Sequence, residues 1–229
     1  MKKILTILVI MLAISLTGCN VMNDTYSSNN EKSANDEGNT STLDNSKNIS
    51  TDDVIDNNNN YFVIVKGEKF KAGDKITDVS KVNLKLKDND LTESIPSNRY
   101  LMGKSIIGSD EKTLFKLTPL NLTASSITVK DSVIGGFEVG ENNYNKLSQE
   151  TLALNLEIYG GIKLGSTYDD MVKAFGTEDY KYDHEYDEKY NSPAYTVYSY
   201  SKGYKKFEFI VDDSGKISQI SWNNYSLNN

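Results

Sequence analysis

The first hydrophobic feature of the chain is Ile4 to Leu16, an apolar run interrupted only by Thr6 and Ser15 and preceded by Lys2 and Lys3. It is short for a hydrocarbon core of ~30 Å, and with its basic flank it reads as the h-region of a secretory signal. From Asn20 to Asn60 the pattern dissolves. Val21, Met22, Tyr26, Leu43, Ile49, Val54 and Ile55 are scattered with no period of 2 or 3.6, among 12 Asn, 6 Asp, 2 Glu and 2 Lys. Such a stretch buries too little apolar surface to offset its ordering entropy, so it reads as a disordered tether. At ~5–6 Å × √n its root-mean-square span is roughly 35 Å.

Periodicity returns at Tyr61. Tyr61 to Val65 reads as a buried strand, with Lys66-Gly67 turning the chain toward Phe70. Segments 113–117, 126–130 and 133–139 are β-branched or aromatic and read as strands, with Gly135-Gly136 marking a bulge or kink. Leu152, Leu154, Leu156 and Ile158 alternate with polar or small residues and predict a half-buried strand. Thr167 to Phe175 predicts a helix, capped by Ser166 or Thr167, with Asp169 and Asp170 in its first turn and Gly176 after its end. Residues 178–190 read as a solvated loop. A meander follows: 194–201, a Lys202-Gly203 turn, 204–211, a turn over 212–215, then 216–222.

These elements give an α+β fold, short helices packed on antiparallel sheets after a disordered N-terminal tether. Residues 70–81 align with 162–173 at an offset of 92, sharing Lys71/Lys163, Gly73/Gly165, Asp78/Asp170 and Lys81/Lys173. That faint repeat raises the reading of two similar lobes, the first degenerate. The organisation is then a signal peptide (1–18), a lipidated tether (19–60), a β-rich lobe (61–150) and a helix-plus-meander lobe (151–229).

Leu16-Thr17-Gly18-Cys19, closing the h-region, resembles the lipobox of bacterial lipoproteins. The resemblance implies a diacylglyceryl thioether on Cys19 and cleavage before it, leaving the chain lipid-anchored on the extracytoplasmic face of the cell membrane. The alternative is an uncleaved membrane anchor. Gly161 to Gly176, with its capped short helix and Phe175-Gly176 ending before a meander, resembles the β-lactamase-inhibitor-protein-like fold, which includes small envelope lipoproteins of the outer-membrane-assembly kind. That resemblance implies protein binding through a sheet face, without catalysis. The chain lacks the disulfide cysteines of the secreted inhibitors, so inhibition of β-lactamase is not carried over.

Composition narrows the chemistry. Lys plus Arg number 25 against 32 Asp plus Glu, a net −7, and Arg99 is the single arginine, which argues against nucleic acid. One Cys excludes a disulfide scaffold, and one His leaves no two-His metal motif. Asp183, His184, Glu185, Asp187 and Glu188 are acidic enough to suggest calcium or zinc, but their spacing fits neither an EF-hand nor a His-x-x-x-His pair. No nucleophile elbow, phosphate loop or dinucleotide fingerprint is present, and no catalytic residue, metal or cofactor is predicted.

Eight tyrosines lie between 180 and 204, and Tyr suits interfaces. Tyr198 and Tyr200 share one strand face and Tyr195 and Val197 the other; Phe207, Phe209 and Val211 should be core. Tyr182, Tyr186, Tyr190, Tyr198 and Tyr200 are the candidate partner-binding residues. The reading is a non-catalytic, lipid-anchored module that binds an envelope protein, with binding of cell-wall glycan or a small solute as the alternative. Deletion of residues 24–56 is expected to leave the stability of the domain unchanged.

Overall fold

A computed structural model describes residues 50–140, 147–190 and 192–227. Cys19, the lipobox and the tether up to residue 49 lie outside the described residues. In chain order the elements are α1 (Thr51–Asp56), β1 (Phe62–Val65), β2 (Glu68–Lys71), β3 (Lys85–Leu86), α2 (Asp88–Leu91), β4 (Ser94–Ile95), β5 (Lys104–Ile107), β6 (Thr113–Leu120), β7 (Ile127–Thr128) and β8 (Val133–Gly140). There follow α3 (Gln149–Ala153), α4 (Tyr168–Phe175), β9 (Tyr180–His184), β10 (Tyr195–Lys202), β11 (Lys205–Asp212) and β12 (Ile217–Asn224). The fold is α+β: one large antiparallel sheet carries a few short helices. Among the described residues no helix is long and apolar enough to cross a membrane.

The local signals act as their chemistry dictates. Lys66 and Gly67 both take positive φ, 51° and 83°, the conformation of a two-residue hairpin turn between β1 and β2. Thr167 caps α4 through a reciprocal pair: Asp170 N donates to its hydroxyl at 3.1 Å, and its own N–H donates to the Asp170 carboxylate at 2.8 Å. Gly135 sits at a bulge where β8 slips against β6, and a Cβ there would lie 2.7 Å from Leu120. The predicted strand over Leu152–Ile158 is instead the end of α3 and the turn after it, because Ser148 caps that helix and Asn155 reverses the chain at φ 47°. Leu154, Leu156 and Ile158 are buried all the same, while Leu152 is exposed.

The eight-stranded sheet has the order β3-β5-β6-β8-β12-β11-β10-β9, which reads outward alike from its centre. The repeat explains why. Gly73 N donates to Ile134 O and Ile134 N to Asp74 O, both at 2.8 Å; Gly165 N donates to Ile217 O and Ile217 N to Ser166 O, also both at 2.8 Å. Each glycine takes positive φ (94° and 84°) and hooks the loop before a helix onto the start of a central strand. Matching Ile134 with Ile217 also matches Glu138 with Ser221, and those two are cross-strand partners in the β8–β12 pair. A pseudo-two-fold axis therefore passes between Glu138 and Ser221. The first copy is degenerate where capping fails. Lys75 stands in the place of Thr167 and makes no cap, so Asp78 pairs with Lys81 at 3.0 Å, and Ile76–Val82 winds as a 3₁₀ helix.

The halves are not separate lobes. They share one sheet, and a boundary at 150/151 would cut α3. Each opening helix also packs on the opposite half, α1 on β10 and β11, α3 on β6. This corrects the tether, whose last ten residues belong to the fold. Val54 and Ile55 are fully buried, Asn60 donates to Val54 O at 2.9 Å, and Lys202 Nζ holds Asp56 at 2.7 Å. Behind them Tyr61 stacks on Phe207 (4.6 Å) and meets Trp222 edge-on, its hydroxyl donating to Ile55 O at 2.9 Å. Two adjacent aliphatic residues suffice here because the surface that receives them is supplied from more than a hundred residues away.

Two outcomes are expected. Chains beginning at residue 46 and at residue 61, compared by urea unfolding, should differ by roughly 3–6 kcal/mol, the burial of two aliphatic side chains at about 1.5–3 kcal/mol each. Thr167→Ala should cost about 1 kcal/mol through loss of the cap. Hydrogen bonds from the Thr167 N–H and hydroxyl hold the Asp170 carboxyl below its ordinary value of 3.8. The stability this gives is complete above that value and lost as pH falls through the lowered one. Asp170→Asn should therefore flatten the acid limb of thermal stability against pH, as read by circular dichroism.

Candidate binding surface

Alternation along each strand divides the sheet into two faces. The face toward the helices carries Tyr200, Phe207, Trp222, Phe137 and Leu117 side by side on five strands. A second row beside it runs Tyr198, Phe209, Ile220 and Val139. Phe175, from α4, packs on this wall with ring centroids 4.9 Å from Phe207, 5.1 Å from Phe209 and 5.3 Å from Tyr200.

Tyr198 and Tyr200 are therefore core residues, which corrects their assignment to partner binding. Tyr200 is fully buried, and its hydroxyl donates to Gly176 O at 3.1 Å; Tyr198 lies 4.8 Å from the ring of Tyr168. Burial, followed by the nearby Glu178 carboxylate, pushes the Tyr200 phenol well above its ordinary value, so it stays protonated as a donor. The other three candidates are exposed: Tyr182 at 48 %, Tyr186 at 58 % and Tyr190 at 69 %.

Among the described residues the opposite face has no helix packed across it. One row crosses seven strands as Tyr180, Ser199, Glu208, Ser221, Glu138, Lys116 and Ser105. Its charges are matched locally. Lys116 pairs with Glu138 at 2.8 Å, Ser199 donates to Glu208 at 3.1 Å, and Lys206 from the next row pairs with Glu208. Such pairs on an accessible surface contribute little stability and leave no uncompensated charge to steer a ligand.

Toward β9 the same face becomes apolar. Tyr182, Val197 and Ile210 are cross-strand neighbours, with Val197 and Ile210 half-buried. Tyr180 flanks them on one side, and the stacked pair His184–Tyr195, 4.5 Å between rings, on the other. The segment read as a loop is thus strand β9 over 180–184. It became a strand because Tyr180, Tyr182 and His184 continue the alternation of β10, a signal present in the sequence but masked by its acidity. Two acid groups of this segment, Asp183 and Asp187, are engaged in local structure. Asp183 accepts from Thr196 at 2.8 Å and pairs with Lys181 at 3.2 Å, and Asp187 accepts from Lys189 N in the turn that follows. Among the described residues no three His, Cys, Asp or Glu are grouped to hold a metal.

A hollow of about 490 Å³ opens beside β6 and β8, lined by Lys116, Glu138, Thr113 and Gln219 among others. Among its lining residues the one aromatic is Phe115, which is itself buried. The chain matches no protein-family profile, no curated protein and no solved structure at a significant level.

The two tyrosine classes should separate in thermal unfolding. Tyr200→Ala is expected to cost roughly 3–5 kcal/mol as a large core truncation. Tyr190→Ala, at an exposed turn, should stay within about 0.5 kcal/mol of the native protein.

Proposed function

We propose that this protein is a membrane-anchored extracytoplasmic lipoprotein whose folded domain is a non-catalytic protein-binding module. The observation that carries the binding role is the apolar end of the uncovered sheet face: Tyr182, Val197 and Ile210 in one row, with Tyr180 and the His184–Tyr195 stack around them. Half-buried aliphatic groups framed by Tyr combine desolvation area with low side-chain entropy, the composition of a protein interface core. The self-paired charges on the rest of the face make a polar rim. The resemblance of Gly161 to Gly176 to β-lactamase-inhibitor-like modules, which implies protein binding through a sheet face, supports the same reading. A glycan or solute carrier would set aromatics around a concave pocket with convergent polar groups. The hollow beside β6 and β8 offers a lining dominated by lysine, glutamate and hydroxyls, so the protein-binding reading is the better supported.

The anchor rests on Lys2, Lys3, the run Ile4 to Leu16 and Leu16-Thr17-Gly18-Cys19. Stable attachment by acylation needs two or more chains at ~0.8 kcal/mol per buried CH₂, which a diacylglyceryl group supplies. In membrane fractionation Cys19→Ala is expected to leave an uncleaved precursor or release the protein; normal lipidation and anchoring of that variant would overturn the anchor. For the binding role, photo-cross-linking residues placed at 197 and 210 in intact cells should trap a discrete protein partner of different sequence. Reproducible absence of one would overturn it.

A further inference from the structure

The two ends of the sheet differ in a way that their pseudo-symmetry does not require. At one end β3 is only Lys85–Leu86, flanked by Lys87 and running directly into α2. A short, lysine-flanked edge is a protected one. At the other end β9 spans five residues and, among the described residues, is hydrogen-bonded to a strand on one side only, β10. Its first four residues are exposed and His184 is half-buried.

The order of residues on β9 is self-complementary. Tyr180-Lys181-Tyr182-Asp183-His184 reads, from either end toward Tyr182, as aromatic ring, then charge, with the two charges opposite in sign. Lys181 and Asp183 project to the same side of the sheet, Nζ and carboxylate 3.2 Å apart, beside Thr196 and Tyr198 of β10. Tyr180, Tyr182 and His184 project to the other side.

We propose that β9 is a homodimer edge. Two copies pair antiparallel about Tyr182, joining two eight-stranded sheets into one. In that register each Lys181 lies opposite the second copy's Asp183, and the exchange is reciprocal, as an isologous two-fold contact requires. On the other side Tyr182 meets its own counterpart, and Tyr180 meets the second copy's His184, whose ring is already held by Tyr195 and whose Nε2 lies 3.2 Å from Ser192 Oγ. Opposite charges and aromatic pairs set directly across from each other are the favourable cross-strand combinations. A lysine alone on an open edge guards against such pairing. Here Asp183, two residues on, converts that guard into one half of a matched pair, leaving the edge neutral. This inference shares Tyr180, Tyr182 and His184 with the protein-binding reading, but it rests on the strand edge and its Lys181–Asp183 pair, and the test below reads those charges and not Val197 or Ile210.

The test is sedimentation equilibrium of the full chain in mild detergent across a concentration series, with far-ultraviolet circular dichroism to verify folding. The native chain should be a dimer. Lys181→Asp sets Asp against Asp at both contacts and Asp183→Lys sets Lys against Lys; each should weaken association by about tenfold or more. An equimolar mixture of the two single variants should restore the dimer, because every contact in the mixed pair is again Lys against Asp. The double variant K181D/D183K should restore it in a single chain. A native chain that stays monomeric, a dimer indifferent to both single changes, or a mixture that fails to recover would each overturn the proposal. Hetero-partner cross-links at 197 and 210 would be untouched by any of these results.

Discussion

Where β8 meets β12, Trp222 lies beside Phe137 and Ile220 beside Val139 on the side of the helices, while Ser221 lies beside Glu138 on the other. That pairing joins the last strand of each half, so both halves of the large sheet grow outward from it and its other strands take their places by chain order, while β1–β2 and β4–β7 pair apart from it. It also fixes which side is wet. Once Trp222 and Phe137 point toward the helices, period-2 alternation commits every strand of the sheet to the same division. Two of the helices follow: α4 and the 3₁₀ helix Ile76–Val82 are each hooked by a glycine loop onto the first residues of a central strand, and each packs on the apolar side.

Elements specified by near neighbours were legible in the sequence. The α4 cap needs only Thr167 and Asp170, and the meander needs only alternation and its glycine turns. The repeat was visible at four identities because Gly73 and Gly165 must both take positive φ at the same hook. Features set by distant contacts were not legible. Residues 51–60 look like the polar run before them, and what orders them is a receiving surface built from α4, β10 and β11. Alternation put Tyr198 and Tyr200 together but could not say which side the helices would occupy. The Leu152–Ile158 run shows the limit of short periods: a capped five-residue helix and a reversal at Asn155 mimic a strand's spacing over seven positions.

The uncovered face illustrates how one surface holds two characters without conflict. Around β6 and β8 its charged groups neutralise one another across neighbouring strands, which keeps the middle of the sheet soluble and unselective. At the β9–β11 end the same alternation delivers Tyr, Val and Ile outward in place of Ser, Glu and Lys. Because Phe207, Phe209 and Val211 complete the core beneath, the outward side chains are released from any packing duty and free to serve recognition.

The crossing of α1 to the far half also decides how force would travel through the molecule. Any pull arriving from the N-terminal side of Ser50 meets α1 first, and α1 is clasped by Lys202 and Lys205 and by the carbonyls of Phe175 and Thr177, which Thr51 Oγ approaches to 3.1 and 3.0 Å. Load is thus shared with β10 and β11 before it reaches β1. The entry helix works as a mechanical clamp, and a chain drawn taut at its N-terminus would be gripped by its C-terminal half.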